Sequence, residues 1–262
     1  MAKNDRHFIV RLARDRQDLL ASQRLRYRVF VQELGATGPT VDHDKALECD
    51  DFDAFYDHLL LVDRRRDPRD LDHVIGVYRL LPGDVAKANK GFYSAAEFDL
   101  GPLINSGRRL LELGRSCVDK NHRGGIAMYH LWNGLAEYVL ENEIEVMFGV
   151  ASYHGTDTDR IAQSLSYLHH RHLAPAAMRA KAIGDGVRSM DLIAKTDLDK
   201  NAALAQTPAL IKAYLRLGGS IGEGAYVDKD FNTVDVCLLM DTKAMSRRHR
   251  DNYIKRQHRG AA

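Results

Sequence analysis

The chain has 262 residues, 45% of them hydrophobic and 28% charged, with a formal net charge of +2, which is the composition of a folded globular protein and not of a disordered one. Its longest unbroken apolar runs, Leu59–Val62 and Val236–Met240, fall far short of the ~18–20 residues a bilayer-spanning helix requires; with no apolar signal region after Met1, the expected location is the cytoplasm. Three cysteines, Cys49, Cys117 and Cys237, show no CxxC spacing, which argues against a disulfide framework or a zinc ribbon.

Phe8 to Ala13 reads as a first strand. Asp15 is placed to cap an amphipathic helix running to about Leu34, with Leu19, Leu20, Leu25, Val29 and Phe30 as its apolar face and Gly35 as its stop. An acidic loop from Asp42 to Asp57 follows, then strands at His58 to Asp63 and Val74 to Leu81, separated by a charged turn ending at Pro68. Leu110 to Val118 reads as a further strand. The polar turn Asn121 to Gly125 leads into a helix whose Met128, Leu131, Trp132, Leu135 and Val139 recur at three- and four-residue spacing and mark one buried stripe. A strand over Glu145 to Ala151 and helices over Thr156 to His172 and Pro208 to Leu217 come next. Gly218-Gly219 stops the last of these, and two strands and a basic helix complete the chain. The order is mixed α/β, read as one domain over 1–241 with its core at about 7–196, a C-terminal elaboration over 197–241 and a basic tail over 242–262.

That tail carries seven Lys or Arg and one acid between Lys243 and Arg259, a local balance of +6 that leaves −4 for the rest of the chain. Such a segment suits an anionic membrane surface or an acidic protein, or is simply a solvated helix. No aromatic stacking pattern accompanies it, so no nucleic-acid partner is expected.

The central strand–turn–helix unit carries the chemistry. Backbone N–H groups at a glycine-bearing helix start converge on one spot where the helix dipole favours an anion. Arg123, Gly124 and Gly125 are therefore candidates for holding a phosphate, against the alternative of an ordinary helix-start turn. Neither GxxxxGK[ST] nor GxGxxG is present. In the preceding strand, strict alternation puts Glu112 and Gly114 on one face and Leu113 and Arg115 on the other. For both charges to line one cleft, a bulge near Gly114 must intervene, and its freed N–H could serve an oxyanion.

At this point the sequence resembles known families. His122-x-x-Gly125-x-Ala127 is similar to the pyrophosphate loop of the GNAT acyltransferases, with His where Gln or Arg is usual. Leu25-Arg-Tyr-Arg-Val-Phe30, Asp50-x-Phe-Asp53, Gly76-Val-Tyr-Arg79 and Glu112-Leu-Gly-Arg115 resemble, in order, segments of the acyl-homoserine-lactone synthases. A closer resemblance, over nearly the whole chain, is to the ornithine N-acyltransferases that make lyso-ornithine lipid. It rests on Asp57-His-Leu-Leu, Phe148 to Gly155, Leu165 to His170, Leu210 to Gly218 and Asp230 to Val236. The lactone synthases carry a Trp before the acidic segment; here the only Trp is Trp132.

The resemblance implies a GNAT-like mixed central sheet flanked by helices, with a C-terminal extension. The implied reaction is direct transfer of a (3-hydroxy)acyl chain from acyl carrier protein to the α-amine of L-ornithine. The donor is the carrier's phosphopantetheine thioester, and no separate cofactor is expected. The alternatives are an autoinducer synthase using S-adenosylmethionine, the same chemistry on another amino acid, or a binding module on an acyltransferase fold. Amine deprotonation is assigned to Asp50, Asp53, Glu48 or Glu112. Arg28, Arg79 and Arg115 are candidates for gripping the substrate carboxylate, and Tyr153 or Ser116 for serving the departing thiolate. Glu112 with Arg115 also reads as a structural ion pair, Asp50 to Asp53 as a loop cap and Arg28 as surface decoration. Cys117 is expected to be a buried spectator. His169, His170 and His172 are expected to diverge around their helix as surface residues, so no metal is expected. The product being a lipid, the enzyme is expected at the inner face of the membrane.

Overall fold

In the computed structural model, residues 7–123 and 126–243 are described. In chain order these hold β1 (Phe8–Leu12), α1 (Arg16–Arg26) with a π-helical continuation (Tyr27–Glu33), β2 (Val41–Asp42), β3 (Leu47–Glu48), β4 (Asp57–Asp63) and β5 (Val74–Pro82). Next are α2 (Gly83–Ala88), β6 (Phe98–Asp99), α3 (Gly101–Ile104), β7 (Leu110–Val118), α4 (Ile126–Glu141) and β8 (Val146–His154). Last come α5 (Ala162–His172), β9 (Lys181–Ala182), β10 (Val187–Arg188), α6 (Lys200–Gln206), α7 (Ala209–Arg216), β11 (Ser220–Ile221), β12 (Ala225–Asp228) and β13 (Thr233–Asp241). No helix among the described residues is long and apolar enough to cross a membrane.

Where the sequence reads as one continuous domain, the structure has two compact units. Among the described residues, the first comprises those up to Tyr93, Leu111–Ile144 and Asp228–Thr233; the second comprises Ser94–Leu110, Glu145–Val227 and those from Val234 to Lys243.

In the first unit, antiparallel strands run in the order β1-β4-β5-β7. Asp15 caps α1 by accepting from the Asp18 amide at 2.9 Å, as its position predicts. The expected single helix to Leu34 instead changes winding after Arg26 and continues as a π-helix to Glu33, with Gly35 beyond it at φ +75°. Along α1 the buried residues are Asp18, Ala21, Ser22, Gln23, Leu25 and Arg26. Ala21, Leu25 and Val29 join Leu60, Val62, Val74, Val77 and Cys117 in one apolar cluster; each fully buried Leu or Val there contributes about 1.5–3 kcal/mol. On α4 the buried stripe is Ala127, Leu131, Gly134, Leu135, Tyr138 and Val139, so Met128 and Trp132 flank it instead of lying on it. A Cβ at Gly76 would stand 2.8 Å from a Leu131 methyl; only glycine in β5 lets α4 come this close.

In the second unit the strand order is β8-β13-β12-β10, with β11 on β13. The segment expected to be a C-terminal elaboration therefore supplies β13, buried along nearly its whole length, beside β8. The helix expected over Thr156 to His172 is shorter, a 3-10 turn at Asp159–Ile161 followed by α5.

Candidate active site

The acidic loop, α1 and strands β5 and β7 of the first unit place seven charged side chains in one buried network. Glu48 ends β3, Asp50 and Asp53 lie just beyond it, Arg79 is on β5, and Glu112 and Arg115 are on β7. The bulge inferred from the alternation of β7 is present. Val77 pairs with Cys117 while Arg79 pairs with Gly114, so Tyr78 faces two residues, Arg115 and Ser116. Arg115 takes up the extra length at φ +48°, a left-handed conformation that costs a non-glycine residue strain. The bulge carries its side chain to Glu48, Asp50 and Tyr93.

Arg26 is wholly buried; its Nε donates to Glu48 Oε2 at 2.5 Å and its Nη1 to Asp53 Oδ1 at 2.5 Å. Arg79, also wholly buried, donates from Nη1 to Asp50 Oδ1 at 2.6 Å and Asp53 Oδ1 at 2.8 Å, and its guanidinium carbon lies 4.4 Å from the Tyr56 ring centroid. Arg115 reaches Glu48 Oε1 at 3.1 Å, Asp50 Oδ2 at 3.2 Å and the Tyr93 hydroxyl at 3.2 Å, between the rings of Tyr93 and Phe231 at 4.7 and 4.4 Å. Gln23 donates to Asp53 Oδ2 at 2.8 Å. Glu112 accepts from the Tyr56 hydroxyl at 2.5 Å and the Tyr93 amide at 2.8 Å, both at Oε2.

Burial by itself would raise the Asp53 carboxyl, but Arg26 and Arg79 outweigh it and hold the group well below the usual carboxylate range. Glu48 is lowered in the same way, burial being overcome by Arg26 and Arg115. Burial would also lower Arg26 and Arg115, yet the facing carboxylates carry both upward, so the guanidiniums stay charged. Burial and Glu112 push the Tyr56 phenol up, which leaves it a proton donor to that carboxylate. Deeply ionised Asp53 and Glu48 are weak bases, since a base well below the working pH gives little driving force for proton uptake.

The remaining sequence candidates fall elsewhere. Arg28 points away from the network, and its Nη2 lies 3.9 Å from Asp119 Oδ2. Its Nε and Nη2 are buried without hydrogen-bond partners. Arg123 donates from Nε to the Val118 carbonyl at 2.9 Å and pairs with Glu33 at 2.7 Å; Gly124 and Gly125 lie outside the described residues. Ser116 is half-buried on the bulge. Tyr153 belongs to the second unit, in a chain of hydroxyls: 2.7 Å to Ser164 Oγ, which is 2.7 Å from Thr207 Oγ1, which donates to the Ala203 carbonyl at 2.8 Å. Burial pushes this phenol up to about 12. Arg79, expected to grip a substrate carboxylate, is instead enclosed by Asp50, Asp53 and the Tyr56 ring and holds the network's shape. Cys117 is a buried thiol that burial pushes up to about 12, the opposite of an activated nucleophile.

Sequence reasoning missed Arg26, Tyr56 and Tyr93. Arg26 had a signal: it follows Ser22 by four residues on the buried stripe of α1, where a charge demands partners. Arg28, two residues on, turns away. The histidine expectation also needs correcting. His169 and His170 do not diverge as surface groups, because Asp191 lies between them: its Oδ2 is 4.0 Å from His169 Nε2 and its Oδ1 3.1 Å from His170 Nε2. His172 is half-buried near Tyr167.

Residues 25–133 match the family described as Acetyltransferase (GNAT) domain. The chain is 58% identical over 256 residues to a Rhodobacter capsulatus protein named L-ornithine N(alpha)-acyltransferase, covering 98% of each. It is 39% identical over 245 residues to an Agrobacterium fabrum protein of the same name, covering 93% of this chain and 84% of that one. Among solved structures it is similar to the CoA-dependent acyl-homoserine lactone synthase BjaI with SAM and isopentyl-CoA. The TM-score is 0.50 at 16% identity, over 92% of this chain and 82% of that one. At that identity the likeness speaks for the fold alone, and the fold is the GNAT-like mixed sheet that the motifs imply.

Proposed function

The chain belongs to the family of the L-ornithine N(alpha)-acyltransferases, and from that premise we propose that it acylates the α-amine of L-ornithine with a (3-hydroxy)acyl group taken from acyl carrier protein, forming lyso-ornithine lipid. The observation that carries the reading is the identity of 58% over 98% of both chains, joined to a buried carboxylate–guanidinium network on a bulged strand.

In this reaction the amine nitrogen attacks the thioester carbon, the C–S bond breaks, and the amine's proton leaves to a base while the pantetheine thiolate departs. Of the four nominated carboxylates, Glu48, Asp50 and Asp53 are spent on arginines. Glu112, fixed by a phenol and an amide, is the proposed base, acting directly or through a water. The bulge at Arg115–Ser116 is the proposed source of an N–H for the oxyanion, with Ser116 the proposed donor to the thiolate. Arg28, whose buried Nε and Nη2 lack a hydrogen-bond partner, and Arg123 are proposed to receive the phosphopantetheine phosphate.

Selectivity for the α-amine follows from its basicity. At a pKa near ~8 against ~10.4 for a lysine-like side-chain amine, it is unprotonated at neutral pH more than about a hundred times as often. The basic run Lys243 to Arg259, which apart from Lys243 lies outside the described residues, is proposed to draw the enzyme to an anionic membrane surface or to the acidic carrier.

The test incubates the purified chain with 3-hydroxyacyl carrier protein or the matching acyl-CoA, against L-ornithine, other amino acids and S-adenosylmethionine, and reads products by mass. Nα-acylornithine formed from the carrier thioester is the expected product. An acyl-homoserine lactone, or no acylated amine at all, would sink the proposal.

A further inference from the structure

His169, His170 and Asp191 share no residue with the proposed acyl-transfer site. We propose that these three residues form a binding site for a divalent transition-metal ion of the Zn2+ type, which fastens the segment before α6 to α5.

One donor atom from each of the three residues lies within 4.8 Å of the others. Two imidazoles and one carboxylate are a donor set suited to such ions and ill-suited to Mg2+ or Ca2+, which prefer all-oxygen shells. Around an ion with bonds of about 2.0–2.1 Å, neighbouring donors stand roughly 3.0–3.4 Å apart. His170 Nε2 and Asp191 Oδ1 are already at 3.1 Å, and His169 Nε2 and Asp191 Oδ2 at 4.0 Å, a gap that a side-chain rotation closes. The Ile193 carbonyl oxygen, 3.1 Å from His170 Nε2, is a fourth donor on the same edge.

The backbone around Asp191 is held in place before any ion arrives. Ser166 Oγ, wholly buried on α5, accepts from the amides of Leu192 and Ile193 at 3.0 Å each. Ser189 Oγ accepts from the Asp191 amide at 3.0 Å. Ser166, His169 and His170 stand at i, i+3 and i+4, which are neighbours on one helix face. One face of α5 thus both anchors the 189–193 turn and supplies the two imidazoles, while the carboxylate bridges the angular gap between adjacent helix positions. Farther along, Gln163 Oε1 accepts from the Asp199 amide at 2.9 Å, so the segment follows α5 to the start of α6. An ion here would cross-link two pieces of chain about twenty residues apart; His170 Nε2, which without the ion donates to the Ile193 carbonyl and Asp191, would then carry its proton on Nδ1 and turn the Nε2 lone pair to the ion.

The experiment uses the purified full chain, freed of metal and titrated with Zn2+ by equilibrium dialysis, with Co2+ absorption spectra as a report of imidazole ligation. Expected are one Zn2+ per chain and affinity at least about tenfold weaker in His169→Ala, His170→Ala and Asp191→Asn, with no change in the control His154→Gln. Amide exchange of Leu192 and Ile193 should slow on adding Zn2+ to the native chain and not to Asp191→Asn. Asp191 is half-exposed, so that variant keeps the test open should a histidine variant misfold. Absence of saturable Zn2+ binding, or binding and exchange untouched by Asp191→Asn, would overturn the proposal.

Discussion

Two buried polar assemblies, one in each unit, are built on opposite principles. In the first unit Arg26, Arg79 and Arg115 face Glu48, Asp50 and Asp53 as full charges, at 2.5–3.2 Å. In the second, Tyr153, Ser164 and Thr207 pass neutral hydrogen bonds along at 2.7 Å. Buried ions cost far more to desolvate than hydroxyls and are tolerable only as a compensated set. The first assembly is therefore rigid, pH-coupled and intolerant of losing a single member, which suits preorganised chemistry. The hydroxyl chain satisfies buried polar atoms and asks for nothing more.

The largest break in that contrast should come from Arg26→Met. It leaves Glu48 and Asp53 short of a cation in the interior, and urea unfolding should show a loss of about 3–5 kcal/mol. A result near 1 kcal/mol would mean the network is not charge-compensated as drawn. Next is Glu112→Gln, which keeps an acceptor for Tyr56 and Tyr93. It should fold normally while kcat for ornithine acylation falls by about a hundredfold or more; an unchanged kcat removes Glu112 as the base. In the hydroxyl chain, Ser164→Ala strands its two neighbours and should cost about 1–3 kcal/mol, equally at pH 5.5 and pH 8.

The smallest effect is on acid stability, which the charged assembly feels and the hydroxyl chain does not. Burial lowers the His58 imidazole, against the pull of Asp53, so the folded protein keeps it neutral while the unfolded chain takes up a proton near ~6.5. Stability should therefore begin to fall as pH drops below about 6.5, and the half-buried, likewise lowered His172 adds to this. Glu48 and Asp53 are lowered too; their contribution is whole above the ordinary carboxylate range of ~4 and is lost as pH falls through and below it. Denaturant midpoints measured against pH should show a shallow decline before a steep one. His58→Gln should flatten the shallow part.

Much of the site was legible beforehand. Glu112 and Arg115 follow from charges alternating with apolar residues along β7, and Glu48, Asp50, Asp53 and Arg79 from the resemblance; the six do meet. The bulge follows from the demand that Glu112 and Arg115 share a face. Arg26 was legible in principle from the phase of α1, and was passed over for Arg28. Tyr56 and Tyr93 were not legible, because a tyrosine in a loop carries no periodic signal of what its hydroxyl will meet. His169 and His170 were misread for a related reason: helix geometry alone says where adjacent side chains point, and not that a carboxylate some twenty residues later lies between them.

By itself, then, the order of residues determined most of the elements, the capping of α1 by Asp15 and the family to which the chain belongs. These depend on contacts within a few residues or on patterns running along the chain. Which arginine turns inward, which carboxylate a phenol and an amide hold, and which thiol is silenced were decided only when strands distant in sequence were laid side by side. Charge compensation in a buried place is a property of the whole assembled set, and no local pattern contains it.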